Sequence, residues 1–121
     1  MLQENGNAQR RPEIPEVRKV QSLLAEFVGT MFLVLVTRLT STLNDSTSSP
    51  ERRFLALGFT ISSLIYSFDH ISGAHFNPAV TLGMVISNFF SGDYKAMKVS
   101  LSFLYVLAQC LGPFVAGFCL E

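Results

Sequence analysis

Residues 72–83 read SGAHFNPAVTLG, a short irregular stretch that runs directly into the start of a helix. Pro78 at the first helical position leaves no extra backbone hydrogen bond unmade, and Asn77 before it is a preferred N-cap. The apolar helical pattern that follows ends near Phe90, so it is shorter than the roughly 20 residues that cross a bilayer. The stretch is therefore predicted to enter a membrane and turn back within it.

Irregular backbone at membrane depth is stable only where it is buried in protein or lines water. The carbonyl groups from Gly73 to Asn77 are therefore expected to form a row of acceptors along an aqueous path. The helix that begins at Pro78 would add the positive end of its dipole, and Asn77 would add an amide donor. Such an arrangement would orient a water molecule and disfavour cations, including protons.

Apolar segments on both sides of this stretch define the rest of the fold. The predicted transmembrane segments are residues 22–42, 54–71 and 97–120, with the re-entrant loop and half-helix at 72–90. The fold class is thus an all-α membrane protein with three transmembrane helices and one re-entrant half-helix. Residues 1–21 are polar and interrupted by prolines, so they are predicted to form a disordered cytosolic tail. A signal peptide is the alternative for the first segment, but Glu26 and the lack of a small-x-small cleavage site favour a retained helix.

The composition excludes several other classes of protein. The chain is 49% hydrophobic, with eleven Phe and no Trp, which is too apolar for an ordinary soluble domain of 121 residues. Nine basic and nine acidic residues cancel, and no basic run exceeds a pair, so no nucleic-acid partner is expected. Cys110 and Cys119 lie in one apolar stretch without a paired histidine, so both are interpreted as packing residues. Neither a disulfide, a metal site nor a cofactor is predicted.

The basic residues predict the orientation in the membrane. The tail and the turn before the third span together hold six Lys and Arg, whereas the loop between the first two spans holds three. Because basic residues concentrate on the cytosolic side, the amino terminus is predicted to be cytosolic. We expect a multi-pass protein of the plasma membrane, with the first loop outside. Asn44-Asp45-Ser46 in that loop is a candidate glycosylation sequon at Asn44.

Ionisable residues within the apolar segments need polar partners, because each costs about 2.5 to 3.5 kcal/mol on insertion scales. For Glu26, the natural partners are the loop backbone and His75. The alternative is a position close enough to the cytosolic interface for the carboxylate to reach water. His70, beside Asp69, is expected to form hydrogen bonds in a loop rather than to bind a metal ion.

Small residues recur at four-residue spacing in all three apolar segments, a pattern that lets helix backbones approach closely in lipid. The pattern predicts helix packing at Ala25 and Gly29, at Gly58 with Ser62, and at Ala108, Gly112 and Ala116.

The complete string Ser72-Gly73-x-His75-x-Asn77-Pro78-Ala79-Val80-Thr81-x-Gly83 resembles the first signature loop of the aquaporin or major intrinsic protein family. Its surroundings agree, because Ala25-Glu26-Phe27-x-Gly29-Thr30 resembles the first helix of the family and Ala108-Gln109-x-x-Gly112 resembles its third. The resemblance covers about residues 22–119. It identifies residues 22–121 as an aquaporin-like first repeat, half of a six-helix bundle.

The resemblance implies an hourglass pore built from two inverted repeats, whose Asn-Pro-Ala tips meet at the midplane. The pore residues that it implies here are Gly73, His75, Asn77, Pro78 and Ala79, with Glu26 and His75 bracing the loop. Leu57 corresponds to a constriction residue on the second helix that is usually aromatic in water-selective members. Arg38, Asp69 and Pro113 depart from the family pattern.

Two functions follow as expectations. The first is passive transport of water or a small neutral solute by a channel of aquaporin type, assembled as a homo- or hetero-oligomer like the family tetramer. A second Asn-Pro-Ala loop and the constriction arginine of the family have no counterpart in these 121 residues, so a truncated or fragmentary form is expected. The second is a non-conducting half-channel that associates with full-length family members and modulates their assembly or trafficking. An enzyme is not predicted, because Glu26, His70 and His75 offer no nucleophile paired with a base.

Overall fold

The computed structural model describes residues 16–42, 50–91 and 99–119. Within these ranges the chain forms four α-helices and no strand. The helices are α1 (Glu16–Thr42), α2 (Pro50–Ser72), α3 (Pro78–Ser91) and α4 (Val99–Phe118). Three of them, α1, α2 and α4, are long and apolar enough to cross a membrane, and α3 is shorter. The predicted all-α membrane fold, with three spans and one short helix, is confirmed.

The amino-terminal ends of α1 and α2 lie earlier in the sequence than the predicted spans. Residues 16–21, predicted to belong to a disordered tail, are helical instead. Glu16 lies in the first turn, where a negative charge complements the helix dipole, and its Oε1 lies 2.5 Å from Lys19 Nζ. Similarly, α2 begins at Pro50 and carries Glu51 in its first turn. The rest of the predicted tail, Asn44 and the lysines before α4 lie outside the described residues.

Helix α1 is the centre of the bundle, because it packs against both α2 and α4, whereas α3 packs against α4. The buried side chains come from α1, α4, the start of α3 and the segment between α2 and α3. More of them are polar than apolar: Ser22, Glu26, Thr30, Thr81, Ser102 and Gln109 against Ala25, Phe76, Leu101, Tyr105 and Ala116. This distribution suits a helical membrane protein, in which apolar side chains can face lipid and polar ones must find partners inside.

The predicted small residues have different surroundings. Gly112 lies where α4 meets the backbone of α1, since an added Cβ would be 2.5 Å from the Phe27 carbonyl oxygen and 2.9 Å from Met31 N. Ala25 is buried and Ala108 is half-buried. Gly58 on α2 is exposed, and an added Cβ there would meet no described atom within 4 Å. The same spacing thus marks a close helix contact on α4 but not on α2.

Pro113 lies inside α4, which continues to Phe118. Because proline has no N–H, the carbonyl group of Gln109 loses its helical hydrogen bond. The close approach of Gly112 to α1 is nevertheless kept immediately before the proline.

Candidate functional site

The segment between α2 and α3 is irregular, as the sequence of residues 72–77 predicts. Its backbone turns sharply: Gly73 has φ 86°, and Ala74 and Phe76 each have φ 47°. The first of these conformations is easy for glycine, but the left-handed region costs other residues about 1 to 2 kcal/mol each. Such a conformation persists only where neighbouring groups hold it.

Glu26 on α1 is the residue whose hydrogen bonds hold much of this loop conformation in place. Its side chain is fully buried, with 0% exposure, and its two oxygens accept four hydrogen bonds. Oε1 accepts from Ser72 Oγ at 2.6 Å and from His75 N at 3.0 Å. Oε2 accepts from Phe76 N at 2.7 Å and from Gln109 Nε2 at 2.8 Å. The carboxylate therefore joins α1, the loop and α4 at one point.

The bonds to Glu26 also determine which way the loop carbonyls point. A trans peptide unit directs its N–H and C=O groups in opposite directions. Because the N–H groups of His75 and Phe76 point toward Glu26, the carbonyl groups of Ala74 and His75 point away from it. Among the described residues, no donor reaches any carbonyl oxygen from Gly73 to Phe76. The loop therefore presents consecutive acceptors that the bundle leaves unused.

Hydroxyl groups fix the point where α2 passes into the loop. Ser22 Oγ on α1 donates to the Ile71 carbonyl oxygen at 2.8 Å, and Tyr105 on α4 donates to the Ser72 carbonyl oxygen at 3.0 Å. Ser72 Oγ accepts from Ala74 N at 3.1 Å while it donates to Glu26. The end of α2 is thus bonded to α1 and to α4.

The His75 ring braces the loop against α3 and α4. Its Nδ1 lies 3.1 Å from Thr81 Oγ1, and its ring meets Tyr105 edge-on with centroids 5.6 Å apart. Gln109 Nε2 in turn donates to Thr81 Oγ1 at 2.9 Å. The ring makes no hydrogen bond to Glu26, which binds His75 through its backbone N–H instead.

Asn77 and Pro78 form the start of α3. Asn77 Oδ1 accepts from Ala79 N at 2.9 Å, which is the geometry of a capping side chain. Its Nδ2 group donates to no other described residue, and the side chain is exposed. At this tip an amide donor and the positive end of a helix lie directly after the row of free carbonyl groups.

The other predicted site residues lie elsewhere. Leu57 is half-buried on α2, and its place at a constriction remains a prediction. Gly29 is buried on α1 and faces the ring of Phe76, not a helix backbone. His70 is exposed in the last turn of α2.

The sequence predicted no bracing role for several polar partners in the site, although three of them stand in the motifs quoted above: Ser22, Tyr105, and the motif residues Ser72, Thr81 and Gln109. One signal could have revealed Gln109 and Tyr105, since a polar group inside an apolar span needs a partner just as Glu26 does. The serines and Thr81 carry no such signal, because hydroxyl groups can bond to the carbonyl of the preceding helical turn.

The chain is similar in sequence to known proteins. The family model of the major intrinsic protein matches residues 13–121. An aquaporin of Encephalitozoon hellem is 35% identical over 106 residues, covering 85% of this chain and 39% of that protein. Aquaporin-1 of Homo sapiens is 35% identical over 105 residues, covering 79% and 36%. Aquaporin NIP1-1 of Arabidopsis thaliana is 37% identical over 101 residues, covering 81% and 32%. The chain therefore spans less than two fifths of the length of these relatives.

Proposed function

This chain belongs to the major intrinsic protein family, and from that premise we propose that residues 22–121 form the first repeat of a channel for water or a small neutral solute. Family membership supports a channel and not an enzyme. The apolar helices α1, α2 and α4 support an integral membrane protein. The proposal assigns the solute path to the segment between α2 and α3.

The row of carbonyl oxygens from Gly73 to Phe76, which no described donor reaches, carries this proposal. In hydrocarbon, each unsatisfied backbone group costs several kcal/mol, so this row requires a donor from outside the described bundle. Water or a hydroxyl-bearing solute supplies such donors. A molecule that moves along the row would donate to successive carbonyl groups and then accept from Asn77 Nδ2 at the tip.

The channel is also proposed to exclude cations, because of the electrostatics at the Asn77 tip. The amino-terminal end of α3 contributes a positive partial charge of roughly half an elementary charge, which raises the energy of a cation beside Asn77. A water molecule that accepts from Nδ2 has its oxygen turned toward the tip. Neutral solutes avoid the electrostatic penalty, so we propose that the channel passes neutral molecules.

The side chain of Leu57 is proposed to determine which neutral solutes pass through the channel. Leucine does not supply the aromatic ring that the family resemblance implies for water-selective members at this position. Water and glycerol are therefore both candidate solutes, and permeability to both is the informative measurement. We also propose that the amino terminus is cytosolic, that the protein resides in the plasma membrane, and that it assembles as an oligomer.

Residues 1–121 by themselves are proposed not to conduct. The carbonyl row and the tip at Asn77 need a facing surface to separate the path from lipid. The second inverted repeat that the family resemblance implies would supply this surface. Two copies of residues 1–121 inserted in one orientation would not reproduce the inverted pairing.

The test compares proteoliposomes that contain residues 1–121 alone with proteoliposomes in which these residues are joined to a second inverted repeat from a family member. Osmotic swelling of the joined protein should be fast, and the 1–121 vesicles should match empty ones. Asn77→Ala should slow swelling several-fold, whereas Asn88→Ala, a control on the same helix, should not. A folded joined protein without permeability would refute the proposal. Co-purification of such a protein with a full-length relative would instead support the non-conducting half-channel.

A further inference from the structure

Phe76 combines a strained backbone with a buried ring. Its φ of 47° lies in the left-handed region, which is unusual for a bulky residue, yet only 4% of the residue is exposed. The ring meets Phe68 of α2 edge-on, with centroids 6.1 Å apart and planes at 84°. A residue in this conformation needs strong contacts to stay in place.

Gly29 provides the space for this ring. An added Cβ at Gly29 would overlap the Phe76 ring and lie 2.6 Å from its Cζ. The ring therefore occupies a slot in the surface of α1 that exists only because residue 29 has no side chain. The ring packs against Gly29 and Phe68, and these contacts hold residue 76 in its strained conformation.

The same turn of α1 also holds the backbone of Phe76. Glu26 Oε2 accepts from Phe76 N at 2.7 Å, and Glu26 and Gly29 are three residues apart on one helix face. Residue 76 is thus fixed at its N–H group by one residue of α1 and at its ring by another. Asn77, the residue at the tip, follows immediately, so its position is set by these two contacts.

We propose that Phe76 is the positioning residue of the solute path, and that its ring in the Gly29 slot sets the depth and direction of Asn77 and of the carbonyl row. The inference rests on the proposed function for its consequence, which is that the fit between residues 29 and 76 controls selectivity. The contact itself can be tested without any measurement of transport.

Hydrogen exchange of the full chain in lipid nanodiscs tests the contact. Gly29→Ala should displace the ring, weaken the bonds to Glu26, and speed exchange of the His75 and Phe76 amides by about tenfold or more. Gly117→Ala is the matched control, because an added Cβ at Gly117 meets no described atom within 4 Å. Equal exchange rates in the two folded variants would overturn the proposal.

A second substitution keeps the test decisive if Gly29→Ala disturbs folding. Phe76→Leu shortens the side chain that enters the slot, so Gly29→Ala combined with Phe76→Leu should regain most of the lost protection. Phe89→Leu serves as its control, because Phe89 is 80% exposed, and it should rescue nothing. If the effects of Gly29→Ala and Phe76→Leu on amide exchange are simply additive in the double variant, the proposal is also overturned. Substitutions at two residues in contact should be coupled.

Transport then tests the consequence in the joined protein described above. Gly29→Ala should change the ratio of glycerol to water permeability several-fold, and the double variant should return it toward the original value. An unchanged ratio, with amide exchange altered as expected, would overturn control of selectivity by this contact. If the unsubstituted protein conducts neither solute, the proposed function fails, whereas the exchange results still decide whether Phe76 positions the loop.

Discussion

Helices α1 and α2 are both long enough to cross a membrane, but α1 buries one face inside the bundle and α2 does not. One face of α1 is buried and carries Ser22, Ala25, Glu26, Gly29 and Thr30. By contrast, none of residues 51–72 on α2 is buried. Phe59 and Tyr66 of α2 are 71% and 90% exposed.

This difference shows that apolar length alone does not decide how a membrane helix is used. Lipid solvates apolar side chains well, so burial of apolar surface gives little drive for helix association. Polar groups and close backbone contacts decide which face is turned inward, and in this chain they are concentrated on α1 and α4. The exposed surface of α2 is available to lipid or to the second repeat of the proposed channel.

The largest expected loss of stability follows removal of the Glu26 carboxylate. Glu26→Ala leaves the Ser72 hydroxyl and the His75 and Phe76 amides without the carboxylate acceptor and removes one of the two bonds of the Gln109 amide, so the free energy of unfolding should fall by about 3 to 5 kcal/mol. The free energy of unfolding is measured by titrating the protein in detergent micelles with dodecyl sulfate while circular dichroism monitors its helix content. Amide exchange from Ser72 to Phe76 should rise in parallel.

Glu16→Ala is the matched control for that experiment, because Glu16 is an acidic residue of the same helix whose side chain is 85% exposed. It should leave the unfolding transition almost unchanged. Equal effects of the two substitutions would break the comparison between α1 and α2, because they would show that the buried face of α1 is not what holds the bundle together.

An intermediate effect is expected at the contact between α1 and α4. Gly112→Ala would place a Cβ against the Phe27 carbonyl oxygen and Met31 N, and neither backbone atom can move without shifting the helix. We expect a loss of about 1 to 3 kcal/mol in the same titration. Gly117→Ala on the same helix has open space around it and should cost nothing. A similar result for both glycines would mean that α1 and α4 do not meet closely at Gly112.

Much of the fold could be predicted from the sequence, because the relevant signals are local. The short helix after Pro78 and the apolar segments follow from length, proline position and capping. The need of Glu26 for a partner follows from the cost of a charge in lipid. Its position against the loop backbone agrees with that prediction and leaves the alternative of contact with water at the interface without support.

The rest could not be predicted, because it depends on which surfaces meet. Gly29, Gly58 and Gly112 all fit the four-residue spacing of small residues, yet they face an aromatic ring, open space and a helix backbone respectively. Spacing describes one helix and contains no information about its neighbour. The need of Gln109 for a polar partner follows from its place in an apolar span, but one helix does not reveal that this partner is Glu26, 83 positions away.

The smallest expected effect on stability is that of a substitution on the exposed surface of α2. It tests whether α2 differs from α1 in having no buried face. Gly58→Ala adds a Cβ in open space, and alanine is favoured over glycine in helices by about 1 kcal/mol. Residues 1–121 should therefore be unchanged or slightly stabilised in the titration. A loss of stability would show that the face of α2 that carries Gly58 packs against another part of the chain. The same substitution in the protein joined to a second repeat sharpens the result, because small residues let membrane helices approach closely. If the second repeat covers this face of α2, Gly58→Ala should destabilise the joined protein while leaving residues 1–121 intact. If the face meets lipid, both proteins should respond alike.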